Sequence, residues 1–208
     1  MQRQPVRKGP DTRERLLELA ERAVLAKGFA ATSIEELIAA AGITKSGFFY
    51  HFKDKGELAK ALLLRYLEQD RAVLDGLFAR ADELNEDPLH GFLVALKLFA
   101  ETLAELPERH PGCLAASFTY QDQLFNREIR ALNAEGVLAW RLRFGERLAA
   151  IAGRYPPRRE VDLEALADMA ATLVEGSLIL DRALDDGTIL PRQILLFRDY
   201  VRAVFVGD

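Results

Sequence analysis

Residues Thr32 to Leu58, TSIEELIAAAGITKSGFFYHFKDKGEL, leave the chain few choices of local structure. Ile34, Leu37, Ile38 and Ala41 recur at a helical period and give one short segment a buried face. Gly42 follows, where a helix has to end abruptly, because glycine takes the left-handed backbone conformation without a Cβ clash. Thr44 is then placed to cap a second short helix that carries Lys45, Ser46 and Tyr50 on its outer side. A helix, a sharp glycine turn and a short polar helix make a helix-turn-helix. Phe48 and Phe52 are four apart on one face and read as core, whereas the pattern leaves Phe49 open.

The flanking chain supports this unit. Asp11 and Glu14 form a capping-box pair that opens a helix through Leu16, Leu17, Ala20 and Val24, and Gly28 stops it. Thr32 or Ser33 caps the second helix, with Glu35 or Glu36 at the reciprocal position. Asp54 and Glu57 begin a long helix through Leu58, Leu62, Tyr66, Val73 and Leu77. Further helices are expected over about 89–106, 113–123, 126–155, 163–184 and 191–206, separated by Asn85–Pro88, Pro107–Gly112, Pro156-Pro157 and Asp185–Gly187. Pro191 suits a helix first turn, where its missing N–H costs nothing. With no alternating strand pattern, repeat or low-complexity tract, the fold class is all-α: an N-terminal helix-turn-helix domain over 1–56, with a mobile arm at 1–10, and a helical domain over 57–208.

The formal net charge of -4 speaks against a nucleic-acid binder until it is divided along the chain. Residues 1–66 carry 12 Lys+Arg against 8 Asp+Glu, and the remainder carries 16 against 24. A basic first third on an acidic body fits a small DNA-reading module attached to a part that does not bind DNA. Arg3, Arg7 and Lys8 in the arm are a solvated terminus or an added phosphate or minor-groove contact.

Within the helix-turn-helix, Thr44, Lys45 and Ser46 occupy the tip of the second helix, and Lys45 is placed to bond a guanine edge or a phosphate. Gly47 costs about 1 kcal/mol relative to Ala in a helix interior, so it points to close backbone approach, to DNA or to the first helix. Tyr50 and His51 are expected phosphate contacts, and Lys55 another from the start of the fourth helix.

From Thr12 to about Leu63 the chain resembles the tetracycline-repressor (TetR) family of bacterial transcription regulators. KGFAATSIEEL followed by AAGITKSGFFYHFKDKGEL carries the resemblance. It implies a homodimer joined through its last two long helices, at about 163–184 and 191–206, a palindromic double-stranded DNA operator, and a small-molecule pocket whose occupation releases the DNA. Two positions depart from the family pattern. Ile38 stands where a small residue is usual, and Phe49 stands where a tyrosine often reaches a phosphate.

In the body, Leu93, Leu96, Phe99, Leu103, Phe118, Trp140, Phe144 and Met169 are candidates to line the pocket, or are plain core. Cys113, also a candidate pocket residue, is a reactive thiol or an unactivated, part-buried one, and its being the only cysteine rules out an internal disulfide and suits a reducing cytoplasm. The apolar surplus of 163–184, with Leu195, Leu196, Phe197, Val201 and Phe205, suits a dimer interface or closes an intrachain core. Three scattered histidines, no phosphate-binding glycine loop and no nucleophile elbow argue against an enzyme, a metal site or a cofactor. No apolar run approaches the length of a membrane span, and the first residues do not read as a secretory signal. The expectation is a cytoplasmic, ligand-responsive repressor. The rival is a helical ligand-binding or scaffold protein whose helix-turn-helix only packs.

Overall fold

The computed structural model describes residues 10–106 and 110–207, all in helices and their connections. The basic arm, up to Gly9, and Pro107–Arg109 of the expected loop lie outside the described residues. The helices are α1 (Pro10–Lys27), α2 (Ile34–Ala41), α3 (Lys45–His51), α4 (Lys55–Leu84), α5 (Pro88–Ala104), α6 (Leu114–Tyr120), α7 (Arg127–Arg154), α8 (Leu163–Leu184) and α9 (Ile189–Phe205). A single 3-10 turn at Asp122–Leu124 stands between α6 and α7. Among the described residues there is no strand, and no helix is long and apolar enough to cross a membrane.

Local chemistry sets most helix ends. Ser33 caps α2 by accepting the Glu36 N–H at 3.1 Å, while Thr32 turns inward and donates to the Gly28 carbonyl at 3.0 Å. Gly42 takes φ 66°, and the Ile43 N–H closes onto the Ile38 carbonyl, which completes the expected stop. Thr44 caps α3 through the Gly47 N–H at 3.1 Å. Asp54 accepts the Glu57 N–H, and the Glu57 carboxylate reaches back to the Lys53 N–H. This is a capping box displaced by one residue. Asn126 caps α7 by accepting the Ile129 N–H, and Asp162 caps α8 by accepting the Glu164 N–H. α9 begins at Ile189, two residues ahead of Pro191, which sits in its first turn.

The chain forms two compact units, drawn from Met1–Glu68 with Cys113–Ala134 and from Gln69–Gly112 with Glu135–Asp208. A single cut after residue 56 therefore does not describe the packing. The segment carrying α6 belongs to the helix-turn-helix unit because its aromatic residues complete that core. Phe29 meets Phe118 at 5.8 Å and Phe125 at 4.9 Å between ring centroids, and Phe118 and Phe125 stack at 4.4 Å. Leu16, Leu17, Leu37, Phe48, Phe52, Leu58 and Leu62 fill the rest. Burying each such side chain contributes roughly 1.5–3 kcal/mol.

In the second unit α9 packs against α5 and α8. Phe78, Phe92 and Phe144 meet at 5.7–6.2 Å and form its aromatic centre. A polar ladder ties α7 to the second half of α4 and the turn after it. Its rungs are Trp140 on Asp70, Arg143 on Asp75, Arg147 on Asp82, and Tyr155 on Asp87.

Candidate nucleic-acid interface

α3 presents two chemically distinct faces. Phe48 is fully buried and Phe52 nearly so, which anchors the helix against α1, α2 and α4. On the other side Thr44, Lys45, Ser46 and Tyr50 are exposed, Tyr50 to 83%. Apart from its edge contact with His51, the Tyr50 ring is largely in solvent. Phe49, which the sequence left open, is 44% exposed and leans edge-on against Phe48, between the two faces. The Thr44 and Ser46 hydroxyls are 2.9 Å apart, so the tip of α3 is locally ordered.

A Cβ added at Gly47 would meet the Thr44 Oγ1 at 3.4 Å and the Ile43 Cβ at 3.6 Å, ordinary contacts from its own turn. Approach of α1 is therefore not the reason for a glycine there. His51 is half-buried at the C-terminal end of α3.

Lys55, expected to meet a phosphate, has partners within the protein. Its ammonium donates to the Phe29 carbonyl at 2.7 Å and reaches the Ala30 carbonyl at 3.5 Å, 4.4 Å from the centre of the Phe29 ring. Burial lowers its pKa, and the nearby Glu36 carboxylate opposes that shift. The side chain thus lies against the α1–α2 turn and holds it.

Gln121 holds the same turn from the opposite direction, accepting the Ala30 N–H at 3.0 Å across Gly28. Gly28 has φ 84°, and a Cβ there would stand 2.4 Å from the Gln121 Nε2. Sequence reading did not single out Gln121. It lies 91 residues from Ala30, and no local pattern marks such a pairing.

Of the expected pocket residues, the second unit brings together Leu96, Phe99, Trp140 and Phe144. They line a cleft with Ala170, Leu173, Val174, Ile194 and Phe197. Its free space amounts to about one water molecule. Leu103 and Met169 are half-buried in the same unit but do not line the cleft. Cys113 and Phe118 belong to the first unit. Phe118 is in the aromatic core there, and Cys113 caps α6, accepting the Ala116 N–H and the Tyr66 hydroxyl, each at 3.4 Å.

The apolar surplus of α8 and α9 also divides. Phe197, Val201 and Phe205 are buried within the chain, whereas Ile179, Leu180, Leu184 and Leu196 are 47–66% exposed. Among the described residues no group of three His, Cys, Asp or Glu side chains is placed to hold a metal ion.

Comparison with known proteins places this geometry. Residues 16–62 match the family described as bacterial regulatory proteins, tetR family. A Pseudomonas putida protein named Probable HTH-type transcriptional regulator ArpR is 35% identical over 106 residues, 51% of this chain and 48% of that protein. The HTH-type transcriptional repressor BepR of Brucella suis is 33% identical over 95 residues, 43% of this chain and 44% of that protein. The chain spans about half the length of these curated relatives. A TetR transcriptional regulator from Chloroflexus aurantiacus superposes with a TM-score of 0.74 at 25% identity, covering 92% of this chain and 94% of that one.

Proposed function

As a chain whose helix-turn-helix domain makes it a member of the TetR family of bacterial regulatory proteins, the protein is, we propose, a dimeric, ligand-responsive DNA-binding regulator, most simply a repressor. The observation that carries this reading is the outer face of α3. Thr44, Lys45, Ser46 and Tyr50 stand together in solvent on a helix fixed from behind by Phe48 and Phe52. Exposed hydroxyls and a cation on a rigid short helix are the groups that meet phosphates and base edges in a major groove. Gly47 lets the backbone come close, and His51 adds a contact at the far end. The bond of Lys55 to the Phe29 carbonyl supports a role in holding the reading head.

Residues 57–208 form the effector and dimerisation part in functional terms. The exposed leucines of α8 and α9 fit a twofold interface, since a solvent-facing row of this kind is costly in a monomer. Two copies then present two α3 helices to half-sites of a palindromic operator about one helical turn apart. A small molecule in the cleft beside Trp140 favours a dimer form in which that spacing is lost, and the DNA is released. α4, unbroken from Lys55 to Leu84, carries both the support of the α1–α2 turn and the Asp70 partner of Trp140. The name of the Brucella relative, a transcriptional repressor, favours repression over activation.

Capture of fragmented genomic DNA at two salt concentrations tests the reading. A regulator enriches particular fragments, with binding that weakens as salt rises. A scaffold whose helix-turn-helix only packs enriches none.

A further inference from the structure

The cleft of the second unit is chemically one-sided. None of the side chains that line it carries a charge, a hydroxyl or an amide. The one polar hydrogen in its wall, on the Trp140 Nε1, is donated to the Asp70 Oδ2 at 2.7 Å. Asp70 itself is not among the lining residues, and its second neighbour is Arg143. A charged ligand entering this space loses its water and finds no group to replace it.

The aromatic side chains add a shape. The Trp140 indole lies nearly parallel to Phe144, at 5.6 Å and 12°, and Phe99 approaches it at 6.5 Å and 55°. A flat ring extends the Trp140–Phe144 stack, with Phe99 at its edge, in the offset and edge-on contacts that aromatic rings prefer. The free space of about one water is smaller than an aromatic ring, so a ring enters only as the wall of the cleft moves. Leu173 and Val174 are half-buried, whereas Phe144 is fully packed, so the former are the side chains best able to give way to a ring.

Resting on the reading of this cleft as the effector site, we propose that its ligand is an uncharged aromatic molecule, bound against Trp140. The Trp140–Asp70 bond then makes the indole the first group to sense it. Displacing the indole breaks the first rung of the ladder between α7 and α4.

Trp140 is the only tryptophan in the chain, so its emission reports the site directly. The test titrates the full chain with toluene, methylcyclohexane, benzoate and benzylammonium, exciting at the red edge where single rings do not absorb. Toluene is expected to change the emission saturably and to bind about tenfold or more tighter than either charged ring, with methylcyclohexane weaker than toluene. Val174→Ala, which enlarges the cleft, tightens toluene binding several-fold. Ala170→Phe, which fills it, abolishes the response while helicity by circular dichroism is retained.

The proposal is overturned if a charged ring binds as well as toluene, or if methylcyclohexane matches it. It is equally overturned if neither the parent nor Val174→Ala responds to toluene. Release of an enriched DNA fragment is followed in the same titrations. Toluene binding without release leaves the ligand class standing and defeats the effector reading. Release by benzylammonium alone does the reverse.

Discussion

The ammonium of Lys55 and the backbone of Phe29 are bound to one another across 26 residues of sequence, the Nζ donating to the Phe29 carbonyl at 2.7 Å. The same ammonium sits 4.4 Å from the centre of the Phe29 ring, whose other neighbours are Phe118 and Phe125. A lysine in the first turn of α4 thereby ties the reading head to the α1–α2 turn. Lys55→Met leaves two carbonyls short of a donor and is expected to cost roughly 1–3 kcal/mol of stability. DNA affinity falls with it, but the slope of log affinity against log salt stays that of the parent. Lys45→Ala, by contrast, reduces that slope by about one if its ammonium meets a phosphate. Salt titrations of both variants separate support from contact.

Gly47→Ala separates folding from binding in the opposite sense. The added methyl meets only the Thr44 Oγ1 at 3.4 Å and the Ile43 side chain, so the free protein accommodates it. Replacing a glycine within a helix gains up to about 1 kcal/mol. The variant is expected to melt higher and to bind DNA about tenfold or more weakly. A variant of unchanged affinity would show that no DNA backbone approaches this position.

Leu196→Glu places a charge in the exposed row of α8 and α9, where Leu196 is 59% exposed. The change touches no buried contact of the single chain, so helicity is expected to hold. Sedimentation is expected to show monomers, and binding to a two-half-site fragment to drop. A variant that remains dimeric places the interface elsewhere.

Asp87 gives a pH dependence whose sign follows from its surroundings. Desolvation at the turn before α5 works to raise its pKa. The bonds from the His90 N–H and the Tyr155 hydroxyl outweigh it and hold the carboxyl well below the ordinary range. A carboxyl lowered in the native state contributes stability above about pH 4, which is lost as pH falls toward the native value. Asp87→Asn keeps a capping oxygen but does not titrate. Its urea midpoint is therefore expected to fall less than the parent's between about pH 5 and pH 3. Parallel losses would remove Asp87 from the acid limb.

Much of the fold was legible because helix ends are local events. Gly42, Thr44, Asp54 and Asn126 act on residues three or four positions away, within reach of sequence reading. Thr32 and Ser33 are neighbouring hydroxyls with the same capping chemistry, and the fold tells them apart by turning Thr32 to the Gly28 carbonyl and Ser33 to the Glu36 N–H. The return of 113–134 to the first unit had no such signal. It depends on Phe29 finding Phe118 and Phe125, and on Ala30 finding Gln121, contacts made only once the chain has folded. For the same reason periodicity marked the outer face of α3 but not the engagement of Lys55, and it grouped Phe118 with residues of a different unit.

The most direct test compares the parent with a Lys45→Ala, Ser46→Ala, Tyr50→Ala variant on an enriched genomic fragment and on its shuffled sequence. All three side chains are exposed, so melting temperature is expected to change little. The parent is expected to prefer the enriched fragment by about a thousandfold or more, and the variant to lose most of that preference. Equal binding of both sequences by the parent, or an undiminished preference in the variant, would contradict the assignment of α3 as the element that reads DNA.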